Sequence, residues 1–188
     1  AAILQGLEKV AAQARPGDTF VWFVASHGLM DANGLFGIVS HDTKCLNADC
    51  TEIAGHITSN EILEASKKIK AMRQLVVLDT CHAGGLDHKL SGLYDARVSL
   101  LARNMGLHLY ASAQATEQAQ DGQPGTNGVF TAQLLEGLRG AAPRTAQGQI
   151  SVMTLGPWAR QRTLEATRSA QSPVIQHFGQ DAPLAAGR

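Results

Sequence analysis

The stretch Leu75-Val76-Val77-Leu78-Asp79-Thr80-Cys81-His82-Ala83-Gly84-Gly85 decides how this chain is read. Four consecutive apolar residues, rather than an alternating pattern, suit a strand buried on both faces. The run stops at two polar residues and is followed by a cysteine, a histidine and a pair of glycines. A second run of the same kind, Phe20-Val21-Trp22-Phe23-Val24-Ala25, stops at Ser26-His27-Gly28. It too predicts a central strand covered on both faces. Two apolar strands thus end on side chains capable of proton transfer and nucleophilic attack.

The segments around these strands read as helices and loops. Residues 1–14 carry Ile3, Leu4, Leu7, Val10, Ala11 and Ala14 at the spacing of one helical face, and Pro16-Gly17-Asp18 ends them. A shorter strand or hairpin is expected at 35–39. Thr58 with Glu61 three residues on forms a capping box ahead of a helix bearing Ile62, Leu63, Ala65 and Ile69. Residues 84–95 read as a polar loop, 107–113 as a third strand, and 114–128 as a long Gly-rich loop of the kind that often carries function. A helix is predicted over 129–138, with Phe130, Leu134, Leu135 and Leu138 on one face. Another is predicted over 152–167, where Pro157 sits awkwardly if it falls past the first turn. Residues 174–178 make a last short strand. Strands alternating with helices indicate an α/β fold with a mostly parallel sheet.

Bulk composition narrows the function. The chain has 188 residues, 44% hydrophobic and 17% charged, which fits one ordinary globular domain spanning 1–188. Sixteen basic residues balance sixteen acidic ones, so charge gives no case for a nucleic acid or a membrane surface as partner. No apolar run reaches the roughly 18 residues of a membrane helix. The first residue is Ala, and the compartment stays open between cytoplasm and periplasm.

In open α/β sheets, ligands bind beyond the carboxyl ends of the strands. Ser26-His27-Gly28 and Asp79-Thr80-Cys81-His82 both fall there. Cys81 is the candidate nucleophile, and His27 the group that takes its proton and later protonates the leaving amine. The backbone N–H groups of Gly28 and Cys81 are candidates for an oxyanion hole. The competing reading is a hydrogen-bonded structural histidine beside an inert buried thiol. His82 points to the opposite face from Cys81 on an extended segment and reads as a neighbour, not the base.

At these residues the chain resembles the caspase–metacaspase–paracaspase superfamily of cysteine peptidases, bacterial members in particular. Residues 18–28 are similar to its histidine strand and residues 75–85 to its cysteine strand. The 54 residues between His27 and Cys81 are near the ~50 of caspases. Tyr110-Ala111-Ser112-Ala113, the run from Gly128 to Leu138 and the segment from Gln171 to Leu184 are similar to the later family elements. The resemblance implies a three-layer α/β/α sandwich and an endopeptidase acting on a protein or peptide through a Cys81–His27 dyad. In metacaspases and paracaspases the acid matching Asp79 lines the pocket for a basic P1 side chain. The resemblance therefore implies cleavage after Arg or Lys, against a plain structural role for Asp79. It also implies self-processing after the cysteine strand, with Lys89, Arg97 and Arg103 as candidate sites.

Three departures stand out. Ser26 occupies the place of the family's usual glycine before the histidine. The caspase pattern Gln-Ala-Cys-Arg-Gly is absent. Family members also open with a strand, a helix and a strand that would precede residue 1 here. Other domains of a longer protein are candidate partners, and a catalytically silent interaction module that kept the fold is the rival reading. No cofactor is expected, with calcium the one left open and zinc disfavoured. Asp31 and Asp42 are calcium candidates by the resemblance, although Asp31-Ala32-Asn33-Gly34 favours a turn for Asp31. His41, Cys45, Cys50 and His56 leave three readings open: a zinc set, a local Cys45–Cys50 disulfide, or free thiols. His88, His108 and His177 read as surface or packing residues.

Overall fold

The computed structural model describes residues 2–30, 36–48, 52–80, 106–114, 119–120 and 127–186. Its framework is a four-stranded sheet in the order β1 (Thr19–Ala25), β7 (Arg73–Asp79), β8 (Leu107–Ala111), β10 (Val174–His177). The first three strands are parallel, and β10 runs antiparallel to β8. β7 follows the rule for a buried strand. Val76 and Leu78 face a core with Phe36, Ile38, Ile57, Ile62, Leu107 and Leu109, while Leu75 and Val77 face one with Tyr110, Phe130, Leu134, Ile150 and Leu155. Each such side chain contributes about 1.5–3 kcal/mol on burial.

The first core is covered by α1 (Ala2–Gln13) and α2 (Ser59–Lys68), which supply Leu4, Ile62 and Leu63. The capping box at the start of α2 is present. Thr58 Oγ1 accepts from Glu61 N at 3.2 Å, and Glu61 Oε2 accepts from Thr58 N at 2.8 Å. The second core is covered by α3 (Val129–Glu136), continued by a π turn over Gly137–Ala141, and by α4 (Val152–Ala166). Pro157 does lie inside α4 past its first turn. The preceding Gly156 lets the helix approach the sheet, since a Cβ there would stand 2.6 Å from Tyr110 Cε1.

Short pieces complete the described residues. The expected hairpin after the histidine is β2 (Gly28–Met30) paired with β3 (Phe36–Ile38), and β6 (Ile57–Thr58) extends it. β4 (Lys44–Cys45) pairs with β5 (Ile53–Ala54), and β9 (Ile150–Ser151) with β11 (Pro183–Ala185).

One expectation is corrected. β1 is not a central strand: among the described residues it is the sheet's edge, and Val21 and Phe23 are 48% and 47% exposed. Its Trp22 and Val24 pack on the first core, but α3 and α4 lie over β7, β8 and β10 on the other face. An apolar run records what a strand prefers to touch, not whether a layer reaches it.

Candidate active site

β1 and β7 pair in register from Thr19 with Arg73 to Ala25 with Asp79. The ladder continues one step, where Ser26 N donates to Asp79 O at 3.3 Å. Ser26 also donates its hydroxyl to the Val39 carbonyl at 2.8 Å. That bond ties the end of β1 to the residue after β3. His27 follows, exposed, with its carbonyl accepting from Val39 N at 2.8 Å. In a trans peptide, C=O and N–H point in opposite directions. No peptide bond among the described residues is cis. The Gly28 N–H, in the same peptide unit as the His27 carbonyl, is therefore aimed away from Val39 and out of the hairpin.

The other side of the site is the end of β7. Thr80 is buried, and its carbonyl accepts from Ser112 Oγ at 3.2 Å, while Ser112 N donates to Leu78 O at 2.9 Å. These bonds fix the last described residue before Cys81 against the end of β8. Ala25, Ser26, His27, Asp79, Thr80, Ala119 and Gly128 line a cleft of about 390 Å³. That volume lies within the range of small ligand sites.

The structure thus brings His27 and Asp79 together on one cleft, with Gly28 next to His27 in the chain. Cys81, His82, His88, Lys89, Arg97 and Arg103 lie outside the described residues, as do Asp31 and Cys50.

Sequence reading missed part of the cleft's support. Thr131, in the first turn of α3, donates its hydroxyl to Asp79 Oδ2. Gly128 stands beside the same carboxylate, and a Cβ there would lie 2.8 Å from Oδ2. The start of α3 is anchored in turn. Val129 N donates to Gln120 O at 3.1 Å, and Gln120 N donates to Gln171 Oε1 at 3.0 Å. The buried Gln171 also donates Nε2–H to Ser112 O at 2.7 Å. Gly128, Thr131 and Gln171 all fall in segments that carry the resemblance, but nothing in the one-dimensional pattern pairs them with these partners.

The metal candidates fare differently. Cys45 is disulfide-bonded. Cys50, the other cysteine of the local disulfide reading, lies outside the described residues. A disulfide sulfur is not a thiolate, so Cys45 is neither a free thiol nor a zinc ligand in this state. Asp42 belongs to a turn in which Thr43 N donates to Ser40 O at 3.1 Å. Among the described residues no three His, Cys, Asp or Glu side chains form a metal set. No helix among them is long and apolar enough to cross a membrane. His108 and His177 are packing residues, in contact with each other.

The profile of the caspase domain matches residues 1–180, nearly the whole length. The chain belongs to the caspase-domain family. No curated protein gives a significant match. The parallel sheet with helices on both faces and the cleft at its carboxyl edge are the caspase-domain architecture expected from the sequence. Family membership implies protein substrates.

Proposed function

We propose that this caspase domain is a cysteine endopeptidase that cuts after Arg or Lys, acting as one peptidase unit over the whole chain. The observation that carries the reading is the register of β1 on β7. Ala25 and Asp79 are partners, and His27 and Cys81 each follow their partner by two residues. Parallel strands lie about 4.8 Å apart and consecutive Cα atoms about 3.8 Å, so positions two residues beyond a register pair are within side-chain reach of each other, which supports the pairing of His27 with Cys81.

The chemistry follows from these roles. His27 takes the proton from the Cys81 thiol, and the thiolate attacks the scissile carbonyl carbon to form a C–S bond. The carbonyl oxygen becomes an oxyanion, held by the N–H groups of Gly28 and Cys81. The outward aim of the Gly28 N–H supports this assignment. The His27 imidazolium then protonates the departing amine as the C–N bond breaks, leaving a thioester on Cys81. Water, deprotonated by His27, attacks the thioester carbonyl; the C–S bond breaks, the His27 proton passes to the departing thiolate, and the released acid ionises to the carboxylate with its proton going to solvent.

Asp79 supports the specificity. Its half-buried carboxylate lines the cleft that His27 also lines. A carboxylate so placed pairs with the guanidinium or ammonium of a P1 side chain. A peptide library randomised at P1 tests this: selection of Arg and Lys is expected, and a preference for acidic or apolar P1 residues contradicts it.

A further inference from the structure

The Asp79 carboxylate does not hang freely in the cleft. Its Oδ2 accepts the Thr131 hydroxyl, and Thr131 is itself 8% exposed on the first turn of α3. The hydroxyl of a helical threonine commonly turns back to its own helix; here it is committed to a carboxylate 52 residues away in the chain. Gly128, at the N-cap of α3, offers no side chain to cap the helix, and the space its Cβ would fill belongs to Asp79 Oδ2. Two features from one helix start therefore bear on the same oxygen, one by donating to it and one by making room for it. An aspartate has two rotatable side-chain bonds. Tying Oδ2 removes most of that freedom at a residue that lines the cleft.

We propose that Thr131 is a specificity-determining, positioning residue: it holds Asp79 in the orientation that receives a basic P1 side chain, in space that Gly128 keeps open. This rests on the reading of Asp79 as the acid of the P1 pocket. Binding energy from a charged pair depends on geometry set before the ligand arrives, so the loss of Thr131 shows in substrate binding rather than in the chemical step. A purely structural bond between α3 and the sheet would affect folding without separating charged from neutral P1 side chains.

The test measures binding of two peptides to the Cys81→Ala chain, identical except that one carries arginine at P1 and the other its neutral isostere citrulline. The arginine peptide is expected to bind more tightly, and Asp79→Asn to abolish the difference. Thr131→Val, which keeps the shape and removes the hydroxyl, is expected to reduce the arginine-to-citrulline ratio about fivefold, a fraction of a charge-assisted hydrogen bond. Thr131→Ser restores the hydroxyl and is expected to restore the ratio. In the chain with Cys81 intact, Thr131→Val should raise KM for an arginine substrate with kcat nearly unchanged. If Asp79→Asn leaves the ratio unaltered, the P1 reading and this inference fall together. If Asp79→Asn abolishes it and Thr131→Val does not lower it, only this inference is overturned. Should Thr131→Val not fold, Thr131→Ala, which also removes the hydroxyl, decides: a lowered ratio supports the proposal and an unchanged one refutes it.

Discussion

Ala25 and Asp79 are register partners at the carboxyl ends of β1 and β7. From that pair the proposed machinery is reached in two steps along either strand, to His27 on one and to Cys81 on the other. The backbone between is fixed. Ser26 bonds to Asp79 and to Val39, and Thr80 is buried beneath Ser112. The reactive groups follow strand ends whose spacing the sheet sets.

Gln171 is expected to matter to the site without touching it. Its amide joins the Ser112 carbonyl to the Gln120 N–H, and Gln120 holds the start of α3. Gln171→Leu leaves the buried Ser112 carbonyl without this partner and releases the N–H of the exposed Gln120 to water. The expected cost is about 1–3 kcal/mol in urea unfolding, that of one buried acceptor left unpaired. An unfolding free energy unchanged from the parent would contradict this role.

The strands and helices around the site were legible because their side chains repeat. Val76 and Leu78 alternate with Leu75 and Val77 between two cores, and Thr58 with Glu61 forms the capping box that the spacing announces. The exposure of Val21 and Phe23 was not legible, because coverage depends on where α3 and α4 land. Two-residue strands such as Ile150–Ser151 carry too few residues for any period to show. At the site, His27 and Asp79 are visible as strand-end residues. The Thr131 hydroxyl on Asp79 and the Gln171 amide on Ser112 join residues 52 and 59 apart, and only the folded chain creates them.

The far end of the sheet predicts acid sensitivity. His108 Nε2 lies 2.9 Å from the Gln180 carbonyl, which can only accept, so Nε2 carries the proton and Nδ1 is the acceptor. His177 Nδ1, 3.2 Å from His108 Nδ1, must then donate. Its Nε2 is left buried, with no hydrogen-bond partner among the described residues. A proton added to His108 sets two donors face to face, and one added to His177 meets no acceptor. Burial lowers the pKa of both rings from 6.5; Gln180 and Asp181 oppose the shift at His108, while at His177 the His108 charge adds to it and Asp181 opposes it. Both folded-state values lie below the unfolded one, so the stabilisation is complete above 6.5 and is lost as pH falls from 6.5 toward the folded values. Thermal unfolding between about pH 8 and about pH 5 should show Tm falling on the acid side of the histidine range. His177→Phe should reduce that slope; equal slopes would contradict the account.

Self-processing is expected in the segment after Cys81. Lys89 in Asp87-His88-Lys89-Leu90-Ser91-Gly92 is the first candidate, ahead of Arg97 and Arg103, because its polar, glycine-containing surroundings suit entry of an extended chain into a cleft. Mass spectrometry after incubation should show the cut in the unaltered chain and not in Cys81→Ala. Equal fragmentation of both would point to a contaminating protease.

The most direct test of the central claim is turnover of a peptide with arginine at P1 by the unaltered chain, by Cys81→Ala and by His27→Ala, with circular dichroism on each. The account predicts that both variants stay folded and that each loses activity to a similar degree, about 10³-fold or more, because members of one catalytic unit are not additive. Undiminished turnover by folded Cys81→Ala protein would contradict it.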